Sequence, residues 1–482
     1  MRAYMHVAAR AFWTKNLLYF LGSLRIVFTI TRDERMPEKI VIVGCGAAGW
    51  AAAVAARKTD RKAQIIVIEQ GRYGVYERGG IPYVIQGDIP TFEALVNFPP
   101  QYYDFMKIDM HTRTKAANID SSGKEVTAVD QTGKKLRISY DSLILAMGAK
   151  PFIIPVSGHA LPEVYVVRTL YDGRKILNNC KKTKAAIVIG ARLVGLEMAV
   201  ALRRCGLDIT VIELRPQILD GILDPELANE VQRKLESGGI RFILGAGISE
   251  ILGRDHVEAV RAGPQEVKAE MVVMAAGVRG RTELAQKMGV KLGETKLIKV
   301  DERLETSIKG VFAAGDCTEC VNAITGKPTV SQLGTNAVRQ GMVAGANAAG
   351  GFTTYPRVLG ACVTRLLNME VASVGLTETY AKKFGMKCVS ASALIPARPI
   401  CYPEKVHVRV KLIAGKNDGR LIGAQIIGEK EAGLRVDTVS LAIMKGATVD
   451  DLISLDHAYN PPVAESTDPL SVVAEVLSRK LI

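Results

Sequence analysis

The chain has 482 residues, which is too long for a single hydrophobic core and predicts about three domains. Apolar residues make up 48% and charged residues 23%, which is the balance of a well-packed globular protein. The net charge of +14 suits a protein with anionic ligands. The basic residues are spread along the chain without an aromatic-and-basic stripe, which argues against nucleic acid as a partner.

The cysteines form neither a disulfide framework nor a zinc-ligand pattern with paired histidines. Dispersed cysteines in a chain of this size indicate reduced thiols, so we expect a cytoplasmic protein without a metal site. The eight positions are Cys45, Cys180, Cys205, Cys317, Cys320, Cys362, Cys388 and Cys401.

The first 35 residues differ from the rest of the chain. Residues 16–30 are largely apolar, but Lys15 and Arg25 bracket only nine uncharged residues, too few to span a bilayer. Met36 stands immediately before the first apolar strand. We expect residues 1–35 to be an extension with no role in the fold; the alternative is an amphipathic membrane-surface segment.

A strand–turn–helix–strand unit follows. The apolar run 39–43 leads into Gly44, Gly46 and Gly49, then an alanine-rich helix and a second strand that ends in Glu69. The glycines allow a tight turn and a close approach to a pyrophosphate at the helix N-terminus, and the carboxylate can accept ribose hydroxyls. The whole unit predicts a dinucleotide site. Its candidate residues are Gly44, Gly46, Ala47, Ala48, Gly49 and Glu69.

The same arrangement recurs about 146 residues later, after the strand 185–189. Two dinucleotide folds in one chain predict two dinucleotides, of which a flavin and a nicotinamide are the usual pair. The candidate residues of the second unit are Gly190, Arg192, Leu193, Val194, Gly195, Glu197 and Glu213, with Gly277 at the end of a later strand.

Further along the chain, two strands end at Gly148 and at Gly315-Asp316, where the carboxylate of Asp316 could bond a flavin's ribityl chain. A helix is predicted to begin at Leu333. Apolar runs at 406–413 and 421–427 predict an antiparallel sheet with helices. These segments add Ala146, Gly148, Gly315, Asp316, Leu333, Gly334 and Ala337 to the candidate flavin site.

With these motifs in order, residues 38–482 resemble the pyridine nucleotide–disulfide oxidoreductases. The resemblance is strongest to the single-cysteine branch of coenzyme A-disulfide reductases, NADH oxidases and NADH-dependent polysulfide or persulfide reductases. Further matching segments are Gly80-Ile-Pro82-Tyr83, Gly375-Leu-Thr-Glu378 and Tyr459-Asn-Pro-Pro462. The resemblance implies FAD and NADH as cofactors, with Pro82 and Tyr83 lining the flavin.

It also implies an α/β fold: two Rossmann-like domains, for FAD and NAD(P)H, and a C-terminal α+β domain that makes a homodimer. The expected divisions are 1–35 for the extension, 36–153 and 277–352 for the two parts of the FAD domain, 154–276 for the NAD(P)H domain and 353–482 for the dimerisation domain.

Two positions depart from that branch in ways that affect the chemistry. Gly79 stands where the family carries its redox cysteine, and glycine has no nucleophile, so disulfide reduction by the usual route is not expected. Ala47 and Ala48 continue the first loop, so the histidine of the peroxide-reducing members is missing.

Arg192 replaces a glycine of the second loop. Its side chain either blocks the nicotinamide dinucleotide's pyrophosphate or pairs with it, and the sequence leaves both open. Glu213 favours NADH because a carboxylate repels the 2′-phosphate of NADPH, while Arg215 nearby keeps NADPH open.

Other candidates come mainly from the resemblance. His457, Tyr459 and Tyr402 lie in segments that reach the partner subunit's active site in the family, so they are candidate proton donors or packing residues. A second set holds two alternatives to be tested: Cys317 and Cys320 as a relocated redox pair, and Arg57 and Lys58 as coenzyme A ligands.

The sequence therefore predicts a FAD-dependent NAD(P)H oxidoreductase that works without the family's redox cysteine. Its electron acceptor is left open among oxygen, a quinone-like compound, a sulfur species, coenzyme A disulfide and a redox protein. Two alternatives stand beside this prediction: an electron-relay or non-catalytic FAD subunit of a larger complex, and a coenzyme A-disulfide reductase that uses another thiol.

Overall fold

The computed structural model describes residues 38–481, so the predicted extension 1–35 lies outside the described residues. The first stretch builds most of one parallel sheet, in which β7, β1, β2 and β3 are neighbours, and a small antiparallel sheet of β4, β5 and β6. Its elements are β1 (Lys39–Val43), α1 (Ala47–Thr59), β2 (Gln64–Ile68), a 3₁₀ turn (Arg78–Gly80), α2 (Ile81–Ile85), a second 3₁₀ turn (Phe92–Leu95), α3 (Pro100–Phe105), β3 (Ile108–His111), β4 (Lys115–Asp120), β5 (Glu125–Val129), β6 (Lys135–Ser139), β7 (Ser142–Leu145) and β8 (Ala149–Pro151).

The second stretch builds its own parallel sheet in the order β12-β11-β10-β16-β9, with β13, β14 and β15 as an antiparallel appendage. Both parallel sheets have central strands that are apolar except for Lys39 at the start of β1, as expected of strands covered on both faces. The elements are β9 (Val164–Val166), α4 (Leu170–Cys180), β10 (Ala185–Ile189), α5 (Leu193–Arg204), β11 (Asp208–Glu213), α6 (Pro225–Ser237), β12 (Ile240–Leu244), β13 (Ile248–Leu252), β14 (Ala259–Ala262), β15 (Gln265–Lys268) and β16 (Met271–Met274).

The chain then returns to the first sheet. The elements of this stretch are β17 (Val278–Gly280), α7 (Glu283–Lys287), β18 (Val311–Ala313), β19 (Cys320–Val321), β20 (Pro328–Thr329) and α8 (Gly334–Ala348). β17 pairs with β8, and β18 joins the edge of the first sheet beside β7. Helix α8 lies against α1 so closely that a Cβ on Gly341 would stand 2.1 Å from the carbonyl oxygen of Ala48. One sheet is thus built from two separate parts of the chain.

The last stretch forms an antiparallel sheet in the order β21-β22-β25-β24-β23. Its elements are β21 (Cys362–Leu366), β22 (Met369–Gly375), α9 (Glu378–Lys383), β23 (Cys388–Pro396), β24 (His407–Gly415), β25 (Leu421–Gly428), α10 (Ala432–Met444), α11 (Val449–Ile453) and α12 (Pro469–Ser478). The α/β fold class with a C-terminal antiparallel domain is confirmed, whereas the domain limits stay predictions. No helix among residues 38–481 has both the length and the apolar composition needed to cross a membrane.

A buried ionic cluster joins the second sheet's domain to the C-terminal sheet. Lys411 on β24 is almost fully buried, and its Nζ lies 3.0 Å from Asp224 Oδ2, 2.5 Å from Glu226 Oε1 and 3.1 Å from Glu378 Oε2. Asp224 also accepts hydrogen bonds from the side chains of Gln425 (2.6 Å) and Thr379 (2.7 Å). Because every charge in the cluster has a partner, the burial is tolerated.

We expect Lys411→Met to lower the stability of the protein by about 3–5 kcal/mol, because the change leaves the buried carboxylate of Asp224 without a cation, whereas Glu378 keeps its ion pair with Lys382. The measurement is the urea midpoint of unfolding. Lys416→Met is the control, since Lys416 is exposed just beyond the same strand. Equal midpoints for the two variants would show that the cluster does not stabilise the junction.

Candidate dinucleotide site

At the two ends of the first glycine turn, no residue other than glycine fits. Gly44 has a φ of +100°, and a Cβ there would stand 2.3 Å from the carbonyl oxygen of Ala146. A Cβ on Gly49 would stand 1.9 Å from the carbonyl oxygen of Gly44. Both distances are far below van der Waals contact. The turn therefore lets α1 start directly against the end of β1, with its N-terminal amides free for an anion.

The carboxylate of Glu69 closes this turn from the end of β2. Its Oε2 accepts a hydrogen bond from the amide of Cys45 (2.7 Å), and its Oε1 accepts one from the amide of Gly71 (2.6 Å). Each oxygen keeps a further lone pair, and the side chain lines the adjoining cavity. This is the arrangement needed to accept ribose hydroxyls without moving.

The second turn repeats these contacts residue by residue. Gly190 has a φ of +107°, and a Cβ on Gly195 would stand 1.9 Å from the carbonyl oxygen of Gly190. Glu213 accepts hydrogen bonds from the amides of Ala191 (2.7 Å) and Arg215 (2.9 Å). The two turns are structural repeats, so each has the architecture of a dinucleotide site.

A large cavity of about 1270 Å³ lies at the first turn. It is bigger than the roughly 300–1,000 Å³ usual for drug-sized ligands and suits an extended dinucleotide. Its walls come mainly from the first sheet's domain, and α4 and α5 of the second close one side. The candidates that line it are Gly44, Gly46, Ala47, Ala48, Glu69, Gly79, Pro82, Ala146, Gly148, Gly315, Asp316, Gly334 and Ala337, together with Val194 and Glu197 of the second unit.

Other candidates lie outside the cavity wall. Most belong to the interior of a turn or to the second unit, where their role stays a prediction. These are Gly49, Leu333, Gly190, Arg192, Leu193, Gly195, Glu213 and Gly277. Tyr83 is also outside the wall: it is half-buried against Thr364 and Arg365 of β21, and burial raises the pKa of its hydroxyl.

Tyr402, His457 and Tyr459 do not reach the cavity of their own chain. Tyr459 is 53% exposed, and the His457 ring lies 3.4 Å (Nδ1) from the carbonyl oxygen of Leu455. A contribution of these three residues to a partner's site therefore stays a prediction.

The sequence did not point to two arginines that line the cavity. Arg78 stands over the first turn, with its Nη2 3.7 Å from where a Cβ on Gly46 would be. Arg168 donates from Nη2 to Oδ2 of Asp316 at 2.6 Å, with 21% and 12% of the two side chains exposed. Arg168 follows the carboxyl end of the parallel strand β9, which is the edge where such sheets bind ligands, and that was the available signal.

Glu197 connects the cavity to the C-terminal domain. It lies on α5, and its Oε1 accepts a hydrogen bond from Thr364 Oγ1 at 2.6 Å. Burial raises the pKa of this carboxyl group, and the hydrogen bond partly offsets that rise. The contact fixes a titratable group on the side of the cavity formed by the second domain.

The cysteines beside the cavity are protonated packing residues. Burial raises the pKa of Cys317 to about 12 and that of Cys320 to about 11. Their sulfurs have separate partners: Cys317 donates to the carbonyl of Ala314, and Cys320 accepts from Gln340 Nε2 at 3.0 Å. No described residue that lines the cavity is a cysteine. The structure therefore offers no support for a relocated redox pair.

The guanidinium of Arg57 makes hydrogen bonds within the fold. It donates to the carbonyl oxygens of Met106 (3.1 Å), Ala63 (2.8 Å) and Lys107 (2.6 Å). Lys58 is exposed on the same helix. The arginine thus ties the end of α1 to the loop before β3, and its donors are not free for a coenzyme A phosphate.

Comparison with known proteins gives a family for this geometry. Residues 38–341 match the pyridine nucleotide-disulphide oxidoreductase model, and residues 363–470 match the dimerisation domain of the same group. The chain belongs to the pyridine nucleotide-disulphide oxidoreductase family. Its members are FAD- and NAD(H)-dependent enzymes, and this chain is an oxidoreductase of that kind.

Among similar proteins is an NADH oxidase of Methanocaldococcus jannaschii, 39% identical over 92% of this chain and 99% of its own length. An NAD(P)H sulfur oxidoreductase (CoA-dependent) of Pyrococcus furiosus is 33% identical over 91% of this chain and 99% of its own. The solved NAD-dependent persulfide reductase from A. fulgidus has a TM-score of 0.89 and 34% identity, covering 92% of this chain and 83% of its own.

The cavity fits FAD, because a turn without room for a Cβ, a helix N-terminus and a carboxylate locked by two amides converge on it. We expect Gly49→Ala to abolish retention of FAD, since its Cβ would overlap the carbonyl of Gly44. Gly433→Ala on α10, outside the cavity wall, is the matched control, because a Cβ there would make only ordinary contacts, the nearest 3.4 Å from the side chain of Val363. The measurement is the flavin absorbance per protein in the purified variants. Equal FAD content in both variants would contradict this account of the turn.

Proposed function

We propose that this enzyme passes a hydride from NADH to FAD and hands the electrons to an acceptor without a redox-active cysteine beside the flavin. The observation that carries the proposal is the environment of Gly79. It lines the cavity at the family's cysteine position, and nothing lies within 4 Å of where its Cβ would be. The site has open space where the disulfide-reducing members of the family hold sulfur.

In this proposal, the chain's own residues bind and orient FAD and the nicotinamide. The amides of the first turn and the guanidinium of Arg78 are placed to neutralise a pyrophosphate, while Glu69 accepts ribose hydroxyls. Arg168 holds the carboxylate of Asp316 at the cavity wall. When bound, FAD supplies the two-electron acceptor for the nicotinamide hydride. Val194 and Glu197 form the wall from which a nicotinamide would approach.

The carboxylate of Glu213 supports NADH as the preferred donor. Because both of its oxygens accept backbone hydrogen bonds, it stays in place at the end of β11. A 2′-phosphate would meet this fixed negative charge at close range. The exposed side chain of Arg215 lies 3.7 Å (Nε) from Asp220 Oδ2, so this carboxylate competes with a 2′-phosphate for its charge.

A homodimer is supported by the match to the family's dimerisation domain and by an exposed apolar face on α10. Leu434 and Leu441, which are seven residues apart and share one helix face, are 72% and 59% exposed. In such a dimer, Tyr402, His457 and Tyr459 would be free to reach the partner's cavity and act there as proton donors.

The acceptor follows from what can occupy the space at Gly79. Oxygen, a quinone-like compound or a small sulfur species needs only contact with the flavin, whereas a bound disulfide needs an attacking thiolate. The names of the relatives, NADH oxidase and NAD(P)H sulfur oxidoreductase, cover two of these classes. We therefore propose oxygen or a sulfur species first.

Anaerobic titration of the FAD-loaded protein with NADH, and separately with NADPH, tests the donor half-reaction. We expect stoichiometric bleaching with NADH and slower or weaker bleaching with NADPH, because Glu213 repels the extra phosphate. The flavin's visible spectrum is the readout. A flavin that bleaches with dithionite but with neither nucleotide would instead indicate an electron-relay or structural subunit.

The Gly79→Cys variant tests the cysteine-free mechanism. The added side chain has room, so FAD content should be unchanged, and NADH-dependent reduction of coenzyme A disulfide should rise at least about tenfold. Gly79→Ser is the control, because it adds similar volume without sulfur. High disulfide reductase activity in the unmodified protein that is lost in Cys317→Ser or Cys320→Ser would overturn the proposal.

A further inference from the structure

Arg192 occupies the second turn at the place that corresponds to Gly46 in the first. Gly46 is the residue before α1, with φ −78° and ψ −165°, and Arg192 is the residue before α5, with φ −95° and ψ −170°. The backbones are therefore nearly the same. Neither conformation requires glycine, so the arginine changes what projects from the turn but not the turn itself.

The first turn shows which group lies near a side chain at this position. A Cβ on Gly46 would point towards the Arg78 guanidinium, which stands 3.7 Å away over the turn and comes from a separate loop. Because the two turns are repeats, the side chain of Arg192 begins at the equivalent position. The first turn thus takes its guanidinium from a distant residue, and the second carries one of its own.

Arg192 is unfavourable for the helix that it precedes. It makes no side-chain cap, and the first turn of α5 has no acidic residue. A cation at a helix N-terminus is repelled by the helix dipole, and Ser, Asp or Gly would serve better there. Its neighbour Arg215 pairs with Asp220, whereas Arg192 makes no ion pair with any residue of the described part of the chain. A local conflict of this kind is expected where a residue serves a ligand.

The surroundings of Arg192 leave its charge available. Burial raises the pKa of the Tyr380 hydroxyl and of the Cys362 thiol, and the charge of Arg192 partly offsets both rises. Its side chain is exposed and lies at the junction of the second domain with the C-terminal sheet. Tyr380 also donates a hydrogen bond to Asp220 Oδ2 at 3.3 Å, and that carboxylate is paired with Arg215.

We propose that the guanidinium of Arg192 binds the pyrophosphate of the nicotinamide dinucleotide, so that this turn supplies from its own sequence the charge that the first turn takes from Arg78. The inference rests on the proposed nicotinamide site. It resolves the alternative that the sequence left open in favour of pairing over obstruction. Bidentate guanidinium–phosphate pairing is strong enough to offset the unfavourable helix-terminal charge.

The experiment measures binding of NAD⁺ and of ADP-ribose to the FAD-loaded protein by calorimetry at low and high salt. Both probes carry the pyrophosphate, and neither needs catalysis. The variants are Arg192→Gln, Arg192→Gly and Arg192→Lys. Arg254→Gln is the matched control, because Arg254 is an exposed arginine in the loop between β13 and β14 of the same domain.

We expect Arg192→Gln and Arg192→Gly to raise both dissociation constants by about tenfold or more, and Arg192→Lys to lie between them and the unmodified protein. The salt dependence of binding should become shallower in the two neutral variants. FAD content should stay unchanged. Without nucleotide, Arg192→Gln should shift the unfolding midpoint upwards, since the repulsion at the helix terminus is removed.

Binding by Arg192→Gly that equals or exceeds that of the unmodified protein would overturn the inference, because the arginine would then be neutral or obstructive. Failure of the unmodified protein to bind either probe would overturn it as well. If NAD⁺ binds in an Arg192-dependent way but NADH leaves the flavin oxidised, the inference stands and the proposed function fails.

Discussion

At Gly49 and again at Gly195, the path of a helix across its own glycine turn leaves 1.9 Å between a carbonyl oxygen and the place a Cβ would take. This steric limit decides the geometry around it. Helix and strand can meet only with glycine at the crossing, and the meeting directs the helix N-terminus at the sheet edge. The acid at the end of the next strand then bonds back to the turn, in both cases through two amides. The packing of helix, strand and carboxylate therefore shapes the ligand site by itself.

The two repeats differ in what covers them. The first opens into the large cavity, which the second domain closes with Arg168 and Val194. The second lies beside the C-terminal sheet, to which its domain is joined by the Glu197–Thr364 hydrogen bond and by the buried charges around Lys411. The second unit, where we propose that the nicotinamide binds, is therefore held on both sides. Hydride transfer requires contact distances that do not drift, and a domain fixed in this way can supply them.

The sequence predicts the local parts of this design and misses the long-range ones. The run 39–43 is a strand with those limits, and the runs around 406–413 and 421–427 pair as antiparallel neighbours, because apolar periodicity and glycine turns are local signals. The pairing of Arg168 with Asp316 spans 148 residues, and the local sequence places each residue at the end of a strand without indicating that the two pair. The Lys411 cluster is similar. Lysine is normally exposed, so the sequence predicts a surface position for Lys411 unless its partners from another domain are known.

The thiols closest to the cavity limit how electrons can leave. Attack on a disulfide needs a thiolate, and burial raises the pKa of Cys317 to about 12 and that of Cys320 to about 11, which disfavours the thiolate at both positions. Cys45 is buried beneath the first turn, where burial raises its pKa further. Under the proposed cysteine-free mechanism, the space beside Gly79 would select the acceptor in place of a nucleophile. The acceptor would have to be small enough to enter there and to react without forming a bond to the protein.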